Sequence, residues 1–153
     1  MMEQPQLNTH NKEEYPPMHS AEHILNQTMV RLFGCERSKT NHIEKKKSKC
    51  DYVLPSCPTE EQLKTVEDEV NKVIAQHYDV CIEYITQKEA QGQFDLGRLP
   101  DDATQTLRIV KIGDYDACPC IGIHVANTSE IGTFKIISYD YEENRLRIRF
   151  KLI

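Results

Sequence analysis

The chain has no tryptophan, and no apolar run approaches the roughly 18 residues that a membrane-spanning helix requires. A membrane location is therefore not expected. The segment Met1 to Pro17 lacks the hydrophobic stretch of a signal peptide. A cytoplasmic protein is expected, with its six cysteines (35, 50, 57, 81, 118, 120) free or metal-bound rather than paired. There is no internal repeat. Nor is there an excess of positive charge: 19 Lys and Arg against 24 Asp and Glu leave a net charge of −5. That balance argues against a simple polyanion binder, DNA included.

What remains is an ordinary globular composition, 39% hydrophobic and 28% charged, over 153 residues. Such a chain forms one domain and buries a sizeable core without disulfides. The charge is unevenly spread. Arg37 to Lys49 carries Arg37, Lys39, Lys45, Lys46, Lys47 and Lys49 against Glu44 alone, and the C-terminal segment carries Arg145, Arg147, Arg149 and Lys151. Each run is either a solvated face or a docking strip for phosphates.

The polar, proline-bearing residues 1–17 read as a flexible tail, ended by Pro16-Pro17. Met18 to Phe33 has a helical apolar stripe (Ala21, Ile24, Leu25, Thr28, Leu32, Phe33), and Gly34 suits its stop. Lys39 to Lys47 is an edge strand or hairpin, and Cys50 to Leu54 a short strand. Thr59 caps the next helix, with Gln62 at the reciprocal position and Leu63, Val66, Val70, Val73 and Ile74 at helical spacing as far as His77. Val80 to Ile85 is a strand, Gln87 to Gln91 a short helix, and Gly92 to Thr104 a long connector. Leu107 to Ile112 and Cys120 to Val125 read as strands, with a turn at Gly113-Asp114. Phe134 to Tyr141 and Arg145 to Leu152 form a hairpin. The class is α+β: a single two-layer domain, mostly antiparallel sheet with packed helices.

Two short motifs carry the chemistry. His19-Ser20-Ala21-Glu22-His23 puts two imidazoles one helical turn apart. Cys120-Ile121-Gly122-Ile123-His124 supplies a thiol and a third imidazole. In an extended strand Cys120, Gly122 and His124 share a side, with an opening at Gly122. Three His and one Cys make a plausible ligand set for Zn²⁺, as a structural clip or a hydrolytic centre. Cys118 can replace or supplement Cys120. His42 and His77 lack partners at useful spacing and read as surface residues. The first motif also fits His-x-x-Glu-His, the inverted zinc-protease signature, in which the Glu activates water. The chain is short for a peptidase, but the role is open to Glu22.

The block Leu107 to Asp114, followed by Cys120-Ile121-Gly122-Ile123-His124-Val125-Ala126-Asn127-Thr128-Ser129-Glu130-Ile131-Gly132, resembles the editing domain of alanyl-tRNA synthetases. It also resembles that domain's free-standing relatives, the AlaX proteins, and the second additional domain of threonyl-tRNA synthetases. The order and separation of the two ligand motifs and the intervening helix through Val70 to Ile74 agree, so the resemblance covers residues 18–153. A chain of this length is too short to hold a synthetase catalytic domain as well, so the stand-alone form is expected.

The resemblance implies a zinc-dependent hydrolase that removes the amino acid from mischarged tRNA in trans, with seryl-tRNA for alanine as the typical substrate. It places His19, His23, Cys120 and His124 at the zinc-ligand positions, and Ser20, Ile121, Gly122 and Ile123 beside the substrate. The expected partner is the acceptor end of a tRNA, with Lys45, Lys46, Lys47, Arg145, Arg147 and Arg149 as candidate contacts. Two places depart from the family pattern. Gly-Gly-Thr between the last two ligands is here Ile121-Gly122-Ile123, and the Thr often found before the second histidine is Glu22. A relative that binds tRNA or a synthetase partner around a structural zinc is the alternative.

Overall fold

A computed structural model describes residues 15–86 and 106–153. The expected short helix at 87–91, most of the tail and the connector at 92–104 lie outside the described residues.

The first helix, α1, spans Pro16–Phe33 and begins two residues before the expected start. Pro16 and Pro17 open it instead of closing the tail. Proline is tolerated in the first turn because the amides it lacks have no intrahelical partner there. Gly34 ends the helix in the left-handed conformation (φ 69°), and its N–H donates to Val30 O at 2.9 Å. Strands β1 (Thr40–His42) and β2 (Ser48–Val53) follow, then helix α2 (Glu60–Ala75). The expected capping box is present: Gln62 N–H donates to Thr59 Oγ1 at 3.0 Å, and Thr59 N–H donates to Gln62 Oε1 at 2.8 Å. The remaining strands are β3 (Val80–Thr86), β4 (Thr106–Ile112), β5 (Asp116–Pro119), β6 (Phe134–Glu142) and β7 (Arg145–Leu152), with a 3-10 turn at Thr128–Glu130.

The class is α+β as expected, but the strands divide into two antiparallel sheets. The larger has the order β1-β2-β7-β6 and the smaller β3-β4-β5. Alternation along β2 and β7 turns Cys50, Tyr52, Leu146, Ile148 and Phe150 inward. They meet Ile24, Leu25 and Met29 of α1 and Leu63, Val66, Val70 and Val73 of α2 in one core. The basic residues of β7 occupy the opposite face, as the sequence alternation requires.

One expected element is displaced. Residues 120–125 form an irregular loop, and the strand lies just before them, as β5. Ile121, Ile123 and Val125 mimic strand composition, but the pairing of β5 with β4 stops one residue after Pro119. The last backbone pairing is Cys120 N–H to Arg108 O, at 3.1 Å. The two ligands of this segment are therefore presented by a loop, not by one face of a strand.

Candidate metal centre

Helix α1 is covered on two sides, which explains its unusual burial. One side meets the core. The other, bearing Ser20, His23 and Gln27, leans on β5 and the loop after it. His23 is almost wholly buried, and His19, one turn earlier, keeps part of its surface open.

The loop at 120–125 is held in shape at several points. The Arg108 guanidinium donates to the carbonyls of Cys120 (2.9 Å) and Gly122 (2.7 Å). Gly122 N–H points at Cys120 Sγ (3.3 Å). Ser20 Oγ lies 2.9 Å from His124 Nδ1 and accepts from Val125 N–H at 3.2 Å. Beyond it, Val80 N–H donates to Ala126 O and Thr128 N–H to Tyr78 O, so the loop's exit is tied to the edge of β3. There is no opening at Gly122: a Cβ there would stand 2.1 Å from His19 Cε1, so the imidazole occupies the space a side chain would need.

The result is a convergence of four donors. His19, His23, Cys120 and His124 each bring one ligand atom within 4.8 Å of the others. Cys120 Sγ is 3.7 Å from His19 Nε2 and 3.6 Å from His124 Nε2. Zn–S near 2.3 Å and Zn–N near 2.0–2.1 Å put a tetrahedral sulfur–nitrogen edge at about 3.5 Å. The donor set thus fits a tetrahedral divalent ion of the zinc type. Its electrostatics agree. Burial opposes ionisation of the Cys120 thiol, but hydrogen bonding to His124, His19 and His23 overcomes it and brings the thiol down to about 3. Burial likewise opposes charge on His23, yet Asp116 and the thiolate raise it well above the ordinary histidine value. His124 is lowered, by burial first and then by its imidazole neighbours. A cluster that keeps a thiolate by holding protons on imidazoles is one in which a cation can take the protons' place.

Residues behind the ligands orient them, and these were not found in the sequence. Asp116 Oδ2 faces His23 Nδ1 at 3.6 Å. The same carboxylate accepts from Arg37 at 2.7 and 3.2 Å and from Gln27 Nε2 at 2.8 Å. Although burial opposes its charge, His23 and Arg37 hold Asp116 below the usual carboxylate range. A carboxylate behind a ligating histidine fixes ring orientation and raises ligand basicity. Asp116 carries no motif of its own; its only signal is a place just before the Cys-Pro-Cys run.

Glu22 is only 5% exposed and lies inside the site. Asn26 Nδ2 (2.8 Å) and Asn41 Nδ2 (3.3 Å) donate to its Oε2. Its Oε1 lies 3.9 Å from both His19 Nε2 and His23 Nε2. Ser20, expected beside the substrate, is fully buried, and its hydroxyl positions His124 instead. Ile121 and Ile123 stand at the surface, 66% and 57% exposed. Cys118 is half-buried, with a thiol that burial raises despite Arg37, and it is not among the converging donors. His42 and His77 are exposed, as expected. Lys45, Lys46 and Lys47 are exposed in the β1–β2 loop, Lys45 lying 5.6 Å from the Tyr15 ring centroid. Arg145, Arg147 and Arg149 reach carboxylates of Asp140, Asp51 and Asp140 respectively.

The fold and the cluster define a small α+β domain built around a three-histidine, one-cysteine site. Residues 107–149 match the family described as the threonyl and alanyl tRNA synthetase second additional domain. The alanine-tRNA ligase of Ligilactobacillus salivarius is 34% identical over 121 residues, which is 78% of this chain and 14% of the ligase. That of Hyperthermus butylicus is 32% identical over 146 residues, 88% of this chain and 15% of the ligase. The chain thus spans about one seventh of the length of these relatives. It is a relative of the alanyl-tRNA synthetase editing domain.

Proposed function

We propose that the chain binds one Zn²⁺ through His19, His23, Cys120 and His124 and hydrolyses the ester of a mischarged tRNA, with a seryl-tRNA for alanine as its substrate. The observation that carries this reading is the convergence of three imidazoles and a thiol, all within 4.8 Å of one another, in a relative of the alanyl-tRNA synthetase editing domain. The chemistry has a physical rationale. A pocket for a small amino acid poorly rejects an analogue that adds a hydroxyl, so a second, hydrolytic site is needed.

When bound, Zn²⁺ would supply positive charge at the ester carbonyl. The chain's own residues would do the rest. Partly exposed His19 borders the approach to the cluster. Asn26 and Asn41 hold one oxygen of Glu22, which leaves the other turned towards the histidines. Glu22 would take a proton from the attacking water and return it to the departing ribose oxygen. Glu22→Gln is expected to lower turnover by about 10²–10⁴-fold, the usual contribution of a positioned general base, with zinc content unchanged. Single-turnover deacylation with metal analysis measures both, and full activity in this variant removes Glu22 from the chemistry.

A second reading is a catalytically inactive relative that binds tRNA or a synthetase partner around a structural zinc. It is favoured by the number of protein donors, four, which is the count that structural zinc sites use. Zinc-loaded protein challenged with a panel of mischarged tRNAs separates the two. Wild type is expected to release amino acid and Cys120→Ala to release none. Failure of the loaded protein to cleave any of them ends the catalytic reading and leaves the structural one.

A further inference from the structure

The register of the larger sheet sorts its outward charges into two zones. At one end, Arg147 on β7 stands opposite Asp51 on β2 and Asp140 on β6. Its guanidinium makes two hydrogen bonds to Asp51, at 2.7 and 2.9 Å. Arg145 reaches Asp140 and Glu142. Each positive charge in this zone faces a negative one.

The other end is built differently. Lys49 stands directly opposite Arg149, and Lys135 directly opposite Lys151. His42 lies across from Lys49 on the edge strand, and the β1–β2 loop adds Lys45, Lys46 and Lys47. The acids here are few. Glu44 pairs with His42, Arg149 shares Asp140 with Arg145, and Glu67 on α2 accepts the Ile136 N–H. Among the described residues, none of Lys45, Lys46, Lys47, Lys49, Lys135 and Lys151 forms an ion pair with a carboxylate. Like charges placed directly opposite on one face destabilise a sheet. Such placement is a folded-state cost that packing does not require, because these residues lie on the face of the sheet turned away from the core.

We infer that this end of the sheet, formed by Lys45, Lys46, Lys47, Lys49, Lys135 and Lys151, docks the phosphate backbone of an RNA stem. Arg145, Arg147 and Arg149 take no part, each being already paired with a carboxylate. The inference rests on the proposed tRNA substrate and names where the stem lies. The loop lysines connect the surface to the metal centre: Lys45 lies over Tyr15, and Tyr15 O accepts the N–H of His19 one turn on. Phosphate contacts of this kind position a substrate without reading its sequence.

The test is binding of an uncharged acceptor-stem hairpin to the full, zinc-loaded chain over a salt series. Lys135→Gln/Lys151→Gln is expected to weaken binding equally for unrelated stem sequences, and to lower the slope of log affinity against log salt by about 1 per lysine. Arg147→Gln/Asp51→Asn is expected to leave the slope unchanged. The lysine variant is also expected to melt no lower than wild type, since a repulsive pair has been removed; this separates lost docking from lost folding. An unchanged slope in the lysine variant, with wild type still binding the hairpin, overturns the surface while leaving the tRNA reading intact. Wild type that binds no hairpin, or binds anionic phosphatidylserine vesicles in its place, overturns both. Hairpin binding through these lysines without hydrolysis of any mischarged tRNA supports the surface and ends only the catalytic reading.

Discussion

Gly122→Ala is expected to remove zinc binding while leaving the fold in place. The new Cβ would stand 2.1 Å from His19 Cε1 and 2.6 Å from His19 Nδ1, closer than any carbon contact allows. Gly122 is not among the residues with positive φ, so its backbone accepts alanine without strain. The group that must move is an imidazole with part of its surface in solvent and outside the apolar core cluster, so swinging it outward leaves the core packing in place. The same movement withdraws one of four ligands. Affinity should therefore fall by more than the roughly 10–100-fold that follows loss of a partner behind a ligand. Titration with Zn²⁺ against a competing chelator measures this, and thermal melting of the metal-free protein should differ little from wild type. Ile121→Ala is the matched control in the same loop, because that side chain faces solvent. Equal zinc affinity for Gly122→Ala and wild type would mean that His19 is not a ligand.

This role of Gly122 shows where sequence reading succeeds here and where it stops. The helices were legible because their signals are local. Thr59 and Gln62 are three residues apart, and the apolar stripes of α1 and α2 repeat every turn. The His19–His23 pair was legible for the same reason. The sheet hairpin was readable from strict alternation along β7. The Cys120–His124 pair was found, but its setting was misread, because β-branched Ile121, Ile123 and Val125 outweighed Pro119 and Gly122. The partners behind the ligands were invisible. Arg37 and Asp116 are separated by 79 residues, Gln27 and Asp116 by 89, and Ser20 and His124 by 104. Nothing at either end marks the other, since such pairs exist only once α1 lies against β5. The same holds for the basic rows: alternation shows that Arg145, Arg147 and Arg149 share a face, but only the register shows which of them meet acids.

The largest combined effect on stability and metal binding is expected at Asp116. In Asp116→Ala the Arg37 guanidinium and Gln27 lose their acceptor, and His23 loses the carboxylate facing Nδ1. Breaking a buried ion pair from one side costs about 3–5 kcal/mol. Arg37 retains some access to water, which places the loss near about 3 kcal/mol, the lower end of that range. Asp116→Asn divides the two functions. An amide keeps the volume and an oxygen for Arg37, so most of the stability should survive. It lacks the negative charge that supports His23, so zinc affinity should still fall by about 10–100-fold. Arg37→Gln provides the converse, lowering stability with less effect on the metal, because the Asp116 carboxylate remains opposite His23. Chemical denaturation of metal-free protein and chelator competition of the loaded protein give the two readouts. If Asp116→Asn and Arg37→Gln weaken zinc binding equally, Asp116 acts only by holding β5 against α1, and the orientation of His23 must come from elsewhere in the helix packing.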